Sequence, residues 1–310
     1  MILLEKLLDG LDVAVEPFAI CEVLGRVRLD LGRSDNVSIH YVMSGAGVLE
    51  AGESQTLPVA QGTVMIVPAG VRHGLATSDA KDLPRMTATR CEPVAAGLER
   101  LRAGNGSTSV VMACGTVRAT YRQAHGLFDY LRDPIVEDVS EDTAIAGAFD
   151  SLLSELADPK PGGRALCQAL MQQCLVLLLR RHCASGECHV PWLAALEDAR
   201  LGEALTAMLD SPQAAHTLES LATVSRMSRS AFAQHFATAL RQTPMEFLRQ
   251  VRLRRAAHLL RTTDQPIKTL AASVGYESRS HFSRSFKAFH GVSPADYRTG
   301  TEDESATPAA

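Results

Sequence analysis

The stretch GYESRSHFSRSFKAFHGVSPADYR, residues 275–298, brings two glycines, three phenylalanines and four basic residues into one short segment. Ser278 is a candidate helix N-cap, because its hydroxyl can accept a hydrogen bond from a free backbone N–H group. After it, Phe282, Phe286 and Phe289 recur at helical spacing and place an apolar stripe on one face. The pattern predicts a helix that packs through its aromatic face and exposes basic and polar side chains.

The same arrangement occurs about fifty residues earlier in the chain. Segments 216–240 and 267–291 each predict a short helix, a turn and a second, capped helix, with Ser228 as the first of the two caps. Thr217 is a further N-cap candidate. The second helix of the earlier segment carries its apolar stripe at Phe232, Phe236 and Leu240. Two helix-turn-helix units in tandem are therefore predicted.

A longer helix is predicted between these two units. Pro244 suits its first turn and Pro266 lies beyond its end. Its apolar residues surround most of the helical wheel, which is typical of a helix packed on two sides; they are Phe247, Leu248, Val251, Leu253, Ala256, Leu259 and Leu260. The helix would span about 27 Å, and successive major-groove faces recur about every 34 Å.

Length and charge narrow the class of protein. The chain has 310 residues, and two domains are expected at this size. Its net charge of −4 hides an asymmetry, because residues 212–300 hold 13 basic against 5 acidic side chains. A basic segment in an acidic chain favours a polyanionic partner, with a solvated basic face as the alternative.

Residues 216–298 resemble the DNA-binding domain of the AraC/XylS family of transcription regulators. The matching stretches are LESLATVSRMSRSAFAQHF, TPMEFLRQVRLRRAAHLL and GYESRSHFSRSFKAFHGVSP, followed by Tyr297 and Arg298. The resemblance implies promoter DNA and RNA polymerase as partners. The DNA-contacting positions that it implies, together with neighbouring basic and capping residues, are Ser228, Arg229, Ser230, Gln234, Ser278, Arg279, Ser280, Arg284 and Lys287.

These positions have different expected roles. Arg284 is the candidate for bidentate guanine recognition and Gln234 for an adenine edge. Ser228, Ser278 and Arg229 are expected to contact phosphates through helix N-termini and charge.

Residues 1–135 read as a different kind of domain, with short β-branched runs separated by Gly and Pro. GTVMIVPAGVRH fits the spacing of the second cupin motif through Gly62, Pro68, Gly70 and His73, and HYVMSGAGVLEAG resembles the first. The resemblance implies a cupin-like β-barrel. The expected fold class is thus α+β multidomain, with a barrel, a helical middle region and an all-α C-terminal domain.

Four residues are candidates for chemistry in this barrel: Cys21, His40, His73 and Cys114. The stretches around them resemble a cupin subgroup that includes a reactive-chlorine-responsive regulator, which implies sensing roles for Cys21 and Cys114. Two thiolates and two imidazoles would also suit a tetrahedral metal ion such as zinc, and the thiols alone could form a disulfide. Cysteines on strands are often simply small buried residues. A metal ion in the barrel is the one cofactor candidate.

Residues 136–211 are predicted to be helical, with PKPGG at 159–163 between two helices. Expected apolar positions are Ile145, Phe149, Leu152, Leu153, Leu156, Leu166, Leu170, Cys174, Leu177 and Leu178. In relatives this region forms dimers, so a homodimer is expected, while packing on the barrel is the alternative. Cys183, Cys188 and His189 are a weaker metal candidate, and Trp192 lies in a predicted linker helix.

The expected domains are 1–135, 136–211 and 212–300, followed by an acidic tail at 301–310 predicted to be disordered. The charged N-terminus does not read as a signal peptide, and seven scattered cysteines favour a cytoplasmic location. The predicted function is transcription regulation through a barrel that senses an oxidant, a metal or a small molecule. One alternative is a small-ligand-responsive regulator without redox chemistry, and a cupin enzyme fused to a DNA-binding module is the alternative from another class.

Overall fold

The computed structural model describes residues 9–300 apart from 53, 79, 81, 88–90, 96–97, 122–124, 130, 185–189, 191–192, 196–197 and 199. The chain divides into two compact units. The barrel unit comprises residues 12–119 and 131–189, and the helical unit comprises residues 1–11, 120–130 and 190–310.

The strands follow one another along the first 138 residues of the chain. They are β1 (Leu11–Leu24), β2 (Arg28–Gly32), β3 (Val37–Ala51), β4 (Gln55–Ala60), β5 (Thr63–Val67), β6 (His73–Ala76), β7 (Arg85–Thr87), β8 (Cys91–Ala95), β9 (Leu98–Gly104), β10 (Thr108–Tyr121), β11 (His125–Gly126) and β12 (Ile135–Asp138). Their main order is β7-β2-β6-β3-β10-β1-β9-β8.

Strand β3 organises the barrel unit because it belongs to two sets of pairs. Its first half pairs with β10 and β5, and its second half pairs with β4 and β6, all antiparallel. Successive side chains on a strand point to opposite faces. One face is buried in a common core, whose members include Cys21, Val23, Leu29, Val42, Leu49, Met65, Leu75, Val110, Met112 and Cys114. The predicted barrel-like fold is confirmed.

Two helices complete the barrel unit, α1 (Thr143–Ala157) and α2 (Gly163–Ala184). Asp142 caps α1 by accepting hydrogen bonds from the backbone of Ala144 and Ile145. Phe149 stacks on Tyr41 of β3 with ring centroids 4.6 Å apart, which fixes α1 on the sheet. Helices α1 and α2 pack on each other.

The predicted apolar face of α2 is partly wrong. Leu166 was expected on the buried stripe but is 48% exposed. The helix turns a different face inward, one that buries Cys167, Met171, Cys174, Leu175, Leu178 and Leu179. Leu156, Leu170 and Leu177 are half-buried. Because α2 is rich in Leu all round, spacing alone does not select its inner face.

Membrane insertion of a helix finds no support in the fold. Within the described residues, every helix is too short or too polar to cross a bilayer.

The helical unit contains α3 (Gly202–Asp210), α4 (Leu218–Val224), α5 (Arg229–Leu240), α6 (Pro244–Thr262), α7 (Ile267–Ser273), α8 (Arg279–His290) and α9 (Pro294–Thr299). Helices α4 and α5 form the first helix-turn-helix unit, and α7 and α8 form the second. Helix α6 connects them. The predicted all-α domain with two such units is confirmed.

Side-chain caps fix where these helices begin. Thr217 and Ser220 form a reciprocal capping box at the start of α4. Ser228 accepts from the Ala231 N–H at 3.3 Å to start α5. Ser278 does the same for α8, and such caps contribute about 1 kcal/mol each. Pro244 occupies the first turn of α6, where its missing N–H costs nothing.

Helix α6 is buried on two sides, as its sequence predicts. Phe247 meets Phe236 of α5 edge-on, with centroids 5.6 Å apart. Farther along, Leu253, Ala256 and Leu260 share a core with Phe282 and Phe286 of α8. Helices α5 and α8 therefore both pack on α6, one toward each end.

Gly275 in the second turn is required for two reasons. Its φ is +90°, a conformation that is strained for any other residue. A Cβ there would also lie 2.9 Å from the guanidinium carbon of Arg252. Arg252 uses that space to donate hydrogen bonds to the carbonyls of Pro212 and Ala214.

We expect Gly275→Ala to lower the free energy of unfolding of the helical unit by about 1–3 kcal/mol, from backbone strain plus displacement of Arg252. Gly291→Ala is the matched control, because Gly291 has a φ of +82° and nothing near the position of a Cβ. Urea denaturation followed by helical circular dichroism should show the larger loss for Gly275→Ala. Equal losses would contradict a role for the Arg252 contact.

Candidate DNA-binding surface and barrel site

The two recognition helices, α5 and α8, each have a buried aromatic face. Phe232 and Phe236 of α5 are fully buried, as are Phe282 and Phe286 of α8. In each pair the ring centroids are 5.6–5.7 Å apart. These contacts fix the rotation of both helices about their axes and so determine which side chains face outward.

Every predicted DNA-contacting residue lies on the outward side or at the N-terminus of these helices. All nine are exposed: Ser228, Arg229, Ser230, Gln234, Ser278, Arg279, Ser280, Arg284 and Lys287. None of the described residues forms an ion pair with Arg279, Arg284 or Lys287. Arg229 approaches Glu219 at 4.0 Å, a weak surface contact. The cationic groups are therefore available to an anionic partner.

Tyr297 and Arg298 have structural positions behind α8. The Tyr297 ring meets Phe286 edge-on at 5.3 Å, and Arg298 donates to the Gln265 carbonyl at 2.6 Å. Phe289 is only partly buried, although its spacing predicted a fully inward position. It lies at the rim, where the Arg254 guanidinium stands 5.4 Å from its ring centroid.

In the barrel, His40 and His73 form a buried pair. Their Nε2 atoms are 2.9 Å apart, and the Nδ1 of His73 is 3.2 Å from the Val71 carbonyl oxygen. A carbonyl only accepts, so His73 donates from Nδ1 and accepts at Nε2 from the Nε2–H of His40. This leaves the His40 Nδ1 buried, with no hydrogen-bond partner among the described residues.

Burial determines the charge of this pair. Desolvation, followed by repulsion from His73, lowers the pKa of His40 to about 3. Desolvation also lowers the pKa of His73, against smaller opposing effects of the Val71 carbonyl and Asp30. Both imidazoles are therefore neutral near pH 7, and the pair is a hydrogen-bonded element of the core.

Cys21 and Cys114 form a second buried pair on neighbouring strands, β1 and β10. Both are free thiols. Burial raises the pKa of the Cys114 thiol, and its hydrogen bond with Cys21 raises it further. The Cys114 Sγ lies 4.0 Å from the Met112 carbonyl oxygen, and both cysteines are members of the same core cluster.

The four barrel candidates do not fit a single four-coordinate metal site. His40 is the cross-strand partner of Cys114, yet the imidazoles hydrogen-bond each other and the Cys114 thiol approaches the Met112 carbonyl oxygen. Two nitrogens on a tetrahedral zinc ion would lie about 3.3 Å apart with both lone pairs aimed at the metal, whereas here an N–H lies between them. Within the described ranges no group of three or more His, Cys, Asp or Glu is arranged to hold a metal ion.

The remaining candidates from the sequence are the cysteines of the helical middle region and their neighbours. Cys167 and Cys174 are buried in α2, as expected for core residues. Cys188, His189 and Trp192 lie outside the described residues, as does the side chain of Cys183.

Comparison with known proteins decides the family. Residues 3–184 match the Cupin family model, and residues 221–300 match the model of a helix-turn-helix domain. The chain belongs to the cupin family and carries an AraC-type helix-turn-helix domain. The predicted resemblance is confirmed.

Similar proteins agree with this assignment. One is an HTH-type transcriptional regulator of Haemophilus influenzae, 29% identical over 95% of this chain and 97% of the relative. Another is RclR of Escherichia coli, an RCS-specific HTH-type transcriptional activator, 28% identical over 84% of this chain and 83% of the relative. A third, AlkR of Acinetobacter baylyi, is 26% identical over 95% and 98%. The protein is a DNA-binding transcription regulator with a cupin-like domain.

The buried histidines make a prediction about acid stability. A histidine whose folded pKa lies below its unfolded value of about 6.5 stabilises the fold above that pH and loses the contribution as pH falls. We expect the barrel unit to lose about 1.4 kcal/mol per pH unit for each titrating histidine below pH 6.5, down toward pH 3 for His40.

The measurement is urea denaturation at pH 7, 6 and 5, followed by the β-sheet signal in circular dichroism. His40→Gln should reduce the slope of stability against pH. His281→Gln, at an exposed position on α8, is the control. An unchanged slope in His40→Gln would contradict the neutral, buried pair.

Proposed function

We propose that the protein binds promoter DNA through α5 and α8 and that the Cys21–Cys114 pair makes this binding responsive to an oxidant. The observation that carries the DNA-binding part is the separation of faces on the two helices. Fully buried phenylalanines fix one face of each, and the nine exposed candidate residues occupy the other face and the N-termini.

Specific roles follow from side-chain chemistry. Arg284 is the reader of a guanine, since its fork of donors matches the O6 and N7 acceptors. Gln234 suits an adenine edge. Further DNA-contacting candidates on the same two helices are Ser230, Arg279 and Ser280. Ser228, Arg229, Ser278 and Lys287 are placed with the phosphates, which supply affinity and salt dependence.

The sequence predicts sensing by residues 1–135, dimer formation by 136–211, and DNA and RNA polymerase contact by 212–300. We keep this division of roles except for residues 120–130, which belong to the helical unit. The relatives described above carry names of transcription regulators, which favours regulation over catalysis.

The sensing step is a two-electron oxidation. An electrophilic oxidant such as hydrogen peroxide converts one thiol to a sulfenic acid and leaves as water. The second thiol then displaces the hydroxyl as a further water and the disulfide forms. The name of the E. coli relative, which refers to RCS, supports a reactive oxidant as the signal.

Burial of both thiols sets a condition on this chemistry. The raised pKa of Cys114 keeps its thiolate scarce at neutral pH, and thiolates are the usual nucleophiles. We therefore propose that the oxidant is selected by its access to the buried thiols and by its electrophilicity. Only a small and strongly electrophilic oxidant should react quickly. The core cluster around the two cysteines favours this chemistry over an internal ligand pocket.

Arg284→Ala is expected to weaken binding to the preferred promoter sequence by about 1–3 kcal/mol and to relax the preference at one base pair. Gel-shift titrations on single-base-pair substitutions measure both effects. Arg164→Ala, an exposed arginine on α2, is the control for loss of one positive charge. Unchanged affinity for all sequences would rule out the assignment.

Cys21→Ser and Cys114→Ser should each abolish the oxidant-induced change in promoter affinity. In the wild type, peptide mapping after oxidation should find the Cys21–Cys114 disulfide, with two thiols lost per chain. Cys167→Ser, which changes another buried cysteine, is the control and should keep the response. A normal oxidant response in a variant that carries both Cys21→Ser and Cys114→Ser would rule out the redox proposal. It would not affect the proposal that the protein binds promoter DNA.

A further inference from the structure

Residues 120–130 belong to the helical unit, although in the chain they lie between two strands of the barrel unit. Within this segment the end of β10 pairs with β11, with Thr120 opposite Gly126. Leu127 and Phe128 are buried, and β11 contacts α6. Apolar packing therefore holds the segment in the helical unit.

A hydrogen bond ties the start of the segment to α3. The Tyr121 hydroxyl donates to Asp210 Oδ1 at 2.7 Å, and Tyr121 is buried. Asp210 is the last residue of α3, the helix that precedes the first helix-turn-helix unit.

An ion pair ties the other end of the segment to α6. Asp129 Oδ2 lies 3.2 Å from a guanidinium nitrogen of Arg254, and about three-quarters of each side chain is buried. The backbone N–H of Gly126 donates to the same carboxylate at 2.9 Å. A Cβ at Gly126 would stand 2.4 Å from Asp129 Oδ1, so glycine leaves the space in which the carboxylate sits.

Arg254 links this ion pair to the second recognition helix. Its guanidinium carbon stands 5.4 Å from the ring centroid of Phe289, within the range of a cation–π contact. Next to it in sequence, the Leu253 carbonyl accepts from His290 Nε2 at 3.4 Å. Phe289 and His290 form the C-terminal end of α8.

We propose that Asp129 is a positioning residue for DNA binding, which acts through Arg254 and Phe289 on the orientation of α8. A carboxylate held by Gly126 fixes the guanidinium, and the guanidinium fixes the rim aromatic of the recognition helix. Helix α5 packs on the other part of α6. The ion pair should therefore affect the half-site bound by α8, here called the second, more than the half-site bound by α5, the first. The 120–130 segment then contributes to DNA binding by positioning α8.

The test uses the full chain and a DNA duplex selected by the wild-type protein from a random-sequence pool. Asp129→Asn keeps the acceptor for Gly126 but removes the charge that Arg254 pairs with. We expect it to weaken binding by about three- to tenfold. Hydroxyl-radical footprinting should show that protection is lost mainly over the half-site that Arg284→Ala also loses.

Three further variants separate positioning from general stability. Asp129→Glu should restore affinity to within about twofold, because the charge and its reach to Arg254 are retained. Gly126→Ala, which displaces the carboxylate without removing it, should reproduce the half-site-selective loss. Asp264→Asn, at an exposed position before α7, should bind as the wild type does.

The outcomes that overturn the proposal are specific. Wild-type affinity and footprint in Asp129→Asn would show that the ion pair does not position α8. A uniform loss over both half-sites, or a loss that Asp129→Glu does not restore, would show a merely structural role. Should Asp129→Asn fail to fold, Gly126→Ala decides the question by the same footprint.

Discussion

Burial of α6 on two sides is the constraint on which the DNA-binding unit depends. A helix with apolar residues around most of its surface cannot be solvated, so it must be covered by other elements. The first recognition helix covers it at Phe247, and the second covers it at Leu253 and Leu260. Each fully buried side chain contributes about 1.5–3 kcal/mol. The separation and the relative rotation of the two recognition helices are thus consequences of one packing solution.

The barrel unit illustrates how a low-dielectric interior sorts polar groups. Four candidate ligands on neighbouring strands could converge on one metal ion, but they form two separate pairs instead. The two imidazoles hydrogen-bond each other, and burial keeps them neutral. It also keeps Cys114 protonated. A neutral group needs no buried counter-charge. Its burial in an apolar core therefore costs less free energy than the burial of a charged group.

Sequence reasoning succeeded where local chemistry determines structure. The caps at Thr217, Ser228 and Ser278 and the phenylalanine stripes depend on residues three or four positions apart, and all are found in the fold except that Phe289 lies at the rim. It failed for the inner face of α2, where Leu166 is exposed. Leucines occur all round that helix, so only its tertiary neighbours decide which face is buried. The pairing of the four barrel candidates likewise depends on strand register, which sequence spacing does not encode.

The 120–130 segment could not be assigned from sequence for a related reason. The sequence places it within the expected domain 1–135, and the partners of Tyr121 and Asp129, which are Asp210 and Arg254, lie about 90 and 125 residues away in the chain. The chain therefore enters the helical unit, returns to the barrel unit and enters the helical unit again.

Strand β10 gives that interleaving a physical consequence. It carries Cys114 within the barrel unit and ends at Tyr121, whose hydroxyl is bound to Asp210. Cys114 and Tyr121 are seven residues apart on this strand. A disulfide between β1 and β10 would alter strain in the same strand that supplies Tyr121. On the proposed function, oxidation at Cys114 and the hydrogen bond of Tyr121 with Asp210 therefore involve one continuous strand.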